Sequence, residues 1–327
     1  MTIKEVAQLA GVSPAAVSRY INGGSISEEK RERVRKAIEE TGYRPNPLAQ
    51  TMRTGRINQV GIIVPRIYSD SVSQITAGAS RKLFERNFMT VLGCTDHNTE
   101  TELRYLESMQ ENQVSGIILM GTVFDGRIEE AIRRCRVPVV ITGQDIEGFP
   151  CICHDDFHAV KDLTTLLIAR GRRKIVMISA PEEDIAAGRN RRCGAEAALR
   201  EAGLDIPLPI ETSTFEAKGG KTAMQNLLAR HPDLDAVVCA TDTMAMGALC
   251  ALREAGRNVP GDVSIVGVGD SWVDNVSIPG LTTAHFFFRQ CGEEAAKLLL
   301  ELIDEGKDAG RVRQTRLQYM IVERGSV

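Results

Sequence analysis

Short apolar runs recur along the chain, and polar side chains follow directly after most of them. Arg66 and Ser69 come after the run 60–64, and Gln144 comes after the run 137–141. Ligands bind beyond the carboxyl ends of the strands in open α/β sheets, so these side chains should gather at one edge. Acids, amides and arginines there would form hydrogen-bond networks with the hydroxyls of a sugar. The candidate ligand-binding residues at such positions are Arg66, Ser69, Gly121, Gln144, Asp184, Arg191, Thr241, Asp242 and Asp270.

Three consecutive aromatic residues, Phe286, Phe287 and Phe288, lie late in the chain. An aromatic ring packs well against the apolar face of a sugar, so one of the three is a candidate platform for a ligand. Core packing is the alternative, and three consecutive rings cannot all face one pocket.

The sequence predicts neither a catalytic set nor a metal site. It contains no G-x-S-x-G, Walker A or H-E-x-x-H motif. The segment Gly267–Asp270 is only a fragment of a dinucleotide-binding motif and lacks its third glycine. The segment Cys151-Ile152-Cys153-His154 has the wrong spacing for a zinc site and favours a buried strand. We therefore expect no catalytic residue, no metal and no cofactor.

The elements that must position the candidate binding residues are alternating strands and helices. Helical patterns separate the apolar runs, which is typical of parallel sheets with helices on both faces. The runs form two series, which predicts two lobes with a break near 155–160. The predicted strands are 60–64, 90–92, 116–120, 137–141, 174–179, 236–239 and 264–268.

The first 22 residues have a different pattern, that of two short helices joined by a turn. Thr2 and Glu5 have the spacing of a capping box, and Gly11 ends the first helix. Ser13 followed by Pro14 is a typical start of the second helix. A third amphipathic helix follows Ser27. This is the helix-turn-helix arrangement, in which the second helix enters the major groove of DNA.

Side chains of the second helix are suited to reading DNA. Arg19 can bond a guanine edge in a bidentate manner, worth about 1–3 kcal/mol of discrimination. Pro14 and Ala15 offer only apolar contact, for example to a thymine methyl group. A surface salt bridge is the alternative role for Arg19. Short polar residues placed to bond phosphates are Thr2, Ser13, Ser18 and Asn22.

The charge distribution agrees with a polyanionic partner for the N-terminal part. The whole chain has a formal net charge of -3, yet residues 1–58 hold ten basic and six acidic residues. A basic segment on an acidic body favours contact with nucleic acid, although a solvated charged surface would have the same composition.

The N-terminal motifs resemble the DNA-binding headpiece of the lac-repressor (LacI/GalR) family. The resemblance implies that Tyr43, Asn46 and Ala49 also contact DNA, and that residues 46–53 form a short hinge helix. In the family, paired hinge helices insert an apolar side chain into the minor groove, and Met52 has that position here; packing between the two hinge helices is the alternative. The matching segments are Thr2–Ala7, Ala10–Ser13, Val17–Arg19, Asn22, Tyr43–Asn46 and Ala49.

The rest of the chain resembles the sugar-sensing core of the same family, on the segments Cys239–Ala248 and Val259–Gly267. The resemblance implies an all-α helix-turn-helix headpiece, residues 1–57, and a two-lobed α/β core with parallel sheets, residues 58–327. That core is similar to periplasmic sugar-binding proteins. We expect a first lobe of about 58–158 and 289–312, and a second lobe of about 159–288 and 313–327.

Within the family the chain is most similar to trehalose repressors, on the segments Ile62–Arg66, Glu147–Asp156 and Cys239–Ala248. This resemblance implies trehalose 6-phosphate as the effector. It also implies that Phe288 joins Arg66, Gly121, Asp184, Arg191 and Thr241 in the effector pocket. Gln144 stands where a second arginine is expected, which removes one charge-assisted contact to a phosphate. A neutral disaccharide such as trehalose or sucrose is therefore the alternative effector.

These features together predict a repressor of a carbohydrate-utilisation operon. It would be a homodimer on a pseudo-palindromic double-stranded operator, released by a sugar or sugar phosphate. Two alternatives stay open: the ligand acts as a co-repressor, or the effector is not a sugar. A sugar-binding protein without a regulatory role is a further alternative, but it would give residues 1–57 no function. No apolar run is long enough for a membrane span, and no signal peptide is present, so we expect a cytoplasmic, nucleoid-associated protein with no membrane partner.

Overall fold

The computed structural model describes residues 2–21, 24–43, 58–204, 207–306 and 312–327. Contacts between residues divide the chain into two units, Met1–Ile57 and Asn58–Val327. The predicted hinge helix 46–53 lies outside the described residues. The two units are described separately below.

The N-terminal unit has three helices: α1 (Ile3–Leu9), α2 (Pro14–Ile21) and α3 (Glu28–Thr41). Thr2 begins α1 with a capping box, in which its backbone N–H donates to the Glu5 carboxylate at 2.7 Å. Gly11 has φ +61°, a conformation that favours glycine and turns the chain toward α2. The three helices bury a small core composed of Val6, Ala7, Ala10, Val17, Val34 and Ala37. The helix-turn-helix prediction is confirmed.

The first lobe of the larger unit contains a six-stranded parallel sheet with the order β11-β5-β4-β3-β1-β2. Its central strands are buried along almost their whole length because helices cover both faces of the sheet. The strands are β1 (Gln59–Val64), β2 (Met89–Cys94), β3 (Gly116–Leu119), β4 (Val139–Thr142), β5 (Cys151–His154) and β11 (Gln314–Leu317). The helices are α4 (Asp70–Phe84), α5 (Thr99–Glu111), α6 (Gly126–Arg134) and α12 (Phe288–Glu305).

The second lobe has a six-stranded sheet with the order β12-β10-β9-β8-β6-β7. Its edge strand β12 runs antiparallel to β10, whereas the sequence predicts parallel strands only. The strands are β6 (Ile175–Ser179), β7 (Ile210–Thr212), β8 (Ala236–Cys239), β9 (Ser264–Gly269), β10 (Thr282–Phe286) and β12 (Tyr319–Val322). The helices are α7 (Asp156–Ala169), α8 (Arg191–Glu201), α9 (Ala217–Arg230), α10 (Asp242–Glu254) and α11 (Trp272–Val276), with a π-helical turn at Ile185–Asn190.

The chain crosses between the lobes after β5, after β10 and after β11. Two predicted boundaries need correction. Helix α7 begins at Asp156, not after 158, and it packs against the second sheet. Strand β11 pairs with β5 in the first sheet, so the last crossing follows Leu317 and not residue 312. The sequence misplaced this strand because its residues are mostly exposed and lack an apolar pattern.

Glycines allow the helices of each lobe to pack closely. Gly292 of α12 lies against the Ile75 carbonyl of α4, and Gly78 of α4 lies against the Arg289 carbonyl of α12. In the second lobe, Gly247 of α10 lies against the Ala217 carbonyl at the start of α9. A side chain at these positions would overlap backbone atoms, which cannot move independently of their helix. None of the helices within the described ranges is long and apolar enough to cross a membrane.

Replacing Gly292 with alanine tests the close packing of α4 and α12. The new Cβ would overlap the Ile75 carbonyl, so we expect Gly292→Ala to lower the free energy of unfolding by about 1–3 kcal/mol. Urea unfolding followed by circular dichroism measures it. Gly126→Ala is the matched control, because a Cβ added there, at the start of α6, would meet no heavy atom within 4 Å. Equal stability of the two variants would contradict this account.

Candidate functional site

The exposed face of α2 holds the predicted base-reading residues. Pro14, Ala15 and Arg19 are exposed, whereas Ala16 and Val17 are buried in the interior of the headpiece. The Ser13 hydroxyl accepts from the Ala16 backbone N–H at 3.3 Å and caps the helix. This capping sets the orientation of the N-terminal end of α2, which is the end that meets base edges in helix-turn-helix proteins.

The charges of the headpiece differ between its helices. On α3, Arg35 pairs with Glu32 and Glu39, each at 2.6 Å, so much of the positive charge of this helix is compensated locally. Arg19 on α2 makes no ion pair with any residue in the described ranges. Its guanidinium is therefore available for an anionic or polar partner.

The other predicted DNA-binding residues have mixed placements. Thr2 is exposed and caps α1, Ser18 is half-buried, and Tyr43 packs against the small core. Asn22, Asn46, Ala49 and Met52 lie outside the described residues. The tertiary contacts of Tyr43 indicate a structural role beside any contact that it makes with DNA.

The larger unit contains a cavity of about 180 Å³ between its lobes. We call it the interlobe cavity. Loops at the carboxyl ends of the strands of both sheets line it, as expected for open α/β sheets. It brings together nine of the ten predicted ligand-binding residues, namely Arg66, Ser69, Gly121, Gln144, Asp184, Arg191, Thr241, Asp242 and Phe288.

The tenth predicted residue, Asp270, does not line the cavity. Its carboxylate accepts from Arg324 at 2.6 Å and bonds His285 at 2.8 Å. Its φ of +58° is unusual for a residue other than glycine, and it turns the side chain away toward the C-terminal segment. The rule that ligands bind beyond the carboxyl ends of the strands, which we call the strand-end rule, identified the loop that contains Asp270 but not the direction of its side chain.

Two side chains of the first lobe reach across the cavity. The Gln144 amide donates to the Asp184 carboxylate at 2.8 Å, and its oxygen accepts from the Ala186 backbone N–H at 3.1 Å. Asp184 also accepts from the Ala187 N–H at 2.9 Å, which caps the π-helical turn. Arg66 lies over the Phe215 ring, 5.0 Å from its centre. Gln144 thus bridges the two lobes across the cavity.

Arg191 is buried in the cavity wall and is already paired. Its guanidinium bonds the Asp156 carboxylate through two nitrogens at 2.8 and 2.7 Å, and a third bond goes to the Ala240 carbonyl. The same group lies 5.3 Å from the centre of the Phe286 ring. Burial raises the pKa of Asp156, while the Arg191 charge opposes this shift. The pair is therefore a two-bonded bridge that fixes the wall.

Asp242 is nearly buried at the start of α10, and it explains the two glycines of β9. A Cβ at Gly267 or Gly269 would overlap the Asp242 carboxylate, so these glycines make room for a side chain and do not cradle a nucleotide. Asp242 accepts from the Thr283 hydroxyl at 2.6 Å and the Ser271 N–H at 3.2 Å. Burial and the Asp242 carboxylate raise the pKa of Asp274 to about 8, so Asp274 is the protonated partner of this pair at neutral pH.

The cavity also contains residues that the sequence did not single out. Asp156, His154 and Thr142 follow or end β5 and β4, so applying the strand-end rule to β5 would have found the first two. His97 and Phe215 follow the edge strands β2 and β7; the sequence predicted the first of these strands but no ligand-binding residue after it, and β7 lacks an apolar run. Cys151 and Cys153 alternate with Ile152 and His154 along β5, which places them on the opposite face of the strand from the histidine.

The fold and the cavity define a two-lobed ligand-binding protein that carries a helix-turn-helix headpiece. Two family profiles match the chain. "Bacterial regulatory proteins, lacI family" covers residues 2–46, and "Periplasmic binding proteins and sugar binding domain of LacI family" covers residues 58–323. The chain belongs to the LacI family of DNA-binding transcriptional regulators.

Similar proteins span its whole length. The HTH-type transcriptional regulator RegA of Clostridium saccharobutylicum is 32% identical, over 99% of this chain and 98% of that protein. The sucrose operon repressor of Staphylococcus xylosus is 31% identical, over 92% and 93%. A solved complex of the transcriptional regulator CelR with cellobiose is 31% identical with a TM-score of 0.76, and covers 100% of both chains. The lac repressor dimer bound to operator and the anti-inducer ONPF is 25% identical with a TM-score of 0.89, over 100% and 98%.

One carboxyl group behind the cavity wall has a buried oxygen that lacks a hydrogen-bond partner among the described residues. Glu102 of α5 lies next to Gly121, and its Oε1 atom has no hydrogen bond within the described part of the chain. Burial, and secondly the Asp125 carboxylate, raises the pKa of Glu102 from 4.5 to about 7. The folded protein therefore keeps a proton here that the unfolded chain loses.

Glu102→Gln tests this shift through the pH dependence of stability. Between pH 4.5 and 7 the unfolded chain ionises while the folded protein stays protonated, so wild-type stability falls as pH rises through this window. We expect the variant to gain roughly 1–3 kcal/mol over the wild type at pH 8 and almost nothing at pH 4.5. Urea unfolding at both values measures it. Glu107→Gln, exposed on the same helix, is the control; a pH-independent difference for Glu102→Gln would refute the shift.

Proposed function

We propose that this protein is a homodimeric repressor of a carbohydrate operon, and that a neutral sugar bound in the interlobe cavity releases it from DNA. The headpiece binds a pseudo-palindromic operator through α2, with Arg19 as the principal base-reading side chain. The sugar acts by binding two arrangements of the core with different affinity, since equal affinity would shift nothing.

The balance of charge in the cavity is the observation that carries the choice of a neutral ligand. Among the described residues, four carboxyl groups line the cavity against two guanidinium groups, and Arg191 is already held by Asp156. The acids are Asp70, Asp156, Asp184 and Asp242. Burial raises the pKa of Asp156, Asp184 and Asp242, so some of them can be protonated, but protonation supplies no positive charge.

A sugar phosphate fits this balance poorly. Its phosphate would find Arg66 as the guanidinium that has no ion pair within the described ranges, and the amide and oxygen of Gln144 are already bonded to Asp184 and Ala186. Carboxylates and amides arranged around a small cavity are well suited to sugar hydroxyls, which both donate and accept hydrogen bonds. We therefore favour a neutral sugar over trehalose 6-phosphate. Relatives named for sucrose and cellobiose support this choice.

Two exposed apolar surfaces support a homodimer. The β2 surface consists of Phe84, Met89, Val91 and Leu92, on the edge strand of the first sheet and the helix end before it. The α11 surface consists of Trp272, Val276 and Ile278 in the second lobe. Exposed apolar groups on an edge strand are typical of surfaces that a partner covers. A second copy of this chain is the proposed partner, as in the lac repressor dimer.

The proposed function is tested by operator binding at fixed salt. DNA from upstream of the gene is followed by fluorescence anisotropy while sucrose, cellobiose, trehalose or trehalose 6-phosphate is added. We expect nanomolar binding that a neutral sugar weakens at least tenfold, with little effect of the phosphate. Arg19→Ala should weaken DNA binding about 10- to 100-fold because it removes one base contact. Arg31→Ala is the control, since Arg31 lies on α3 beside Glu28.

Each alternative has its own outcome in this assay. Release by trehalose 6-phosphate alone would overturn the proposal of a neutral effector and would support membership of the trehalose-repressor branch. Tighter DNA binding with sugar would make the ligand a co-repressor. No binding to any upstream DNA would refute the regulatory role.

The proposed dimer is tested by sedimentation velocity. A glutamate in place of Leu92 would put a charge into the β2 surface, so we expect Leu92→Glu to sediment as a single chain of 35.8 kDa while the wild type has twice that mass. Val123→Glu changes an exposed apolar residue outside both surfaces and should stay dimeric. A dimeric Leu92→Glu would mean that the β2 surface is not the interface.

A further inference from the structure

The most deeply buried polar atoms of the interlobe cavity include two that lack a partner in the described part of the chain. His154 is 6% exposed and Thr142 is 2% exposed, and both line the cavity. The Nε2 atom of His154 and the Oγ1 atom of Thr142 are buried with no hydrogen bond to any described residue. Buried polar atoms are nearly always bonded in folded proteins, so two orphans in one ligand cavity call for a ligand.

The two side chains lie on the same face of the first sheet. Thr142 of β4 is in register with Ile152 of β5, and His154 lies two residues farther along β5. Side chains two apart in a strand share a face, so Thr142 and His154 are diagonal neighbours. One ligand that reaches this end of the sheet can therefore bond both.

The tautomer of His154 decides what the ligand must offer. The Phe287 backbone carbonyl favours a proton on the imidazole, and Nε2 has no partner among the described residues, so we assign the proton to Nδ1. The Nε2 nitrogen then carries a lone pair, so it can accept a hydrogen bond but cannot donate one. Burial, and secondly the Arg191 charge, lowers the pKa of His154 to about 3, so the ring stays neutral at physiological pH.

Aromatic contacts keep the imidazole in this position. It stacks on Phe286 with the ring centres 4.6 Å apart and the planes at 1°, and it meets the edge of Phe288 at 5.3 Å. Phe286 belongs to the second sheet, and it also faces Arg191. Because these contacts fix the orientation of the ring, Nε2 cannot reach another donor of the protein, and the donor must come from the ligand.

We propose that His154 and Thr142 form a hydroxyl subsite that selects a neutral sugar by a hydroxyl donating to His154 Nε2, with Thr142 bonding the same or the adjacent hydroxyl. An ionised phosphate or carboxylate oxygen has no proton to donate, so the charged end of a sugar phosphate cannot occupy this subsite, whereas any sugar hydroxyl can. A site built around a ligand hydroxyl also rejects the deoxy analogue, because the protein atom would stay unpaired. This inference rests on the proposed sugar effector and specifies which end of the cavity selects it.

Calorimetric titration of the full-length protein tests the subsite, with D-ribose, sucrose, cellobiose, trehalose and trehalose 6-phosphate as probes. His154→Phe keeps an aromatic ring for stacking and removes the acceptor, and Thr142→Val keeps the shape and removes the hydroxyl. We expect each to weaken the best-binding neutral sugar at least tenfold. For Thr142→Val we also expect the melting temperature without sugar to stay equal or rise, because an unpaired buried atom has been removed.

Thr95→Val is the matched control. Thr95 follows β2, is 2% exposed and has an unbonded Oγ1 atom within the described ranges, but it does not line the cavity. It should change the melting temperature as Thr142→Val does and leave the sugar affinity within twofold. If His154→Phe proves unstable, Thr142→Val decides alone.

The outcomes separate this inference from the proposed function. If the wild type binds a neutral sugar and Thr142→Val and His154→Phe bind it within twofold of the wild type, the subsite is wrong and the sugar effector stands. If the phosphate is the only probe bound, the neutral-sugar effector fails, and the subsite fails with it when Thr142→Val and His154→Phe bind that probe within twofold of the wild type. If none of the probes binds, both fail.

Discussion

The arrangement of the cavity depends on one constraint, that a guanidinium buried at its wall must be fully paired. Removing such a charge from water is costly unless hydrogen bonds and an opposite charge compensate it. Arg191 meets this requirement with Asp156, the Ala240 carbonyl and the Phe286 ring. These partners come from the crossing after β5, the end of β8 and the end of β10, so a single pairing holds three strand ends in place.

Pairing of this kind also determines what remains available for a ligand. Asp156 is committed to Arg191, Asp184 to Gln144 and the π-helical turn, and Asp242 to Thr283 and Ser271. Apart from Arg66 and Asp70, which have no ion pair within the described ranges, the charged groups of the wall are therefore compensated or suppressed within the protein. Free capacity for hydrogen bonds is left at neutral atoms, above all at the end of β4 and β5. A ligand with hydroxyls and no charge matches such a wall, because nothing in it has to be displaced.

The two glycines of β9 are a second consequence of burying carboxyl groups. Asp242 occupies space beside the strand that a side chain at Gly267 or Gly269 would fill. The Asp242–Asp274 pair avoids adjacent buried charges by holding a proton, which the raised pKa of Asp274 reflects. Glycines that resemble part of a nucleotide motif in the sequence are thus explained by a neighbouring carboxylate.

Local patterns determined the helix-turn-helix, the alternation of strands and helices, and the strand ends where ligand-binding residues gather. They could do so because capping, apolar periodicity and the strand-end rule act over a few neighbouring residues. Eight of the nine residues predicted from strand ends line the cavity, since a strand end fixes where a loop emerges, and Phe288, implied by the resemblance, lies beside them. The direction and pairing of each side chain depend on residues far away in the chain: Asp270 turns to Arg324, Gln144 to Asp184, and β11 joins the first sheet from beyond the last helix. Only the tertiary structure decided these, because charge compensation and the orphaned atoms of His154 and Thr142 exist only once both lobes surround one cavity.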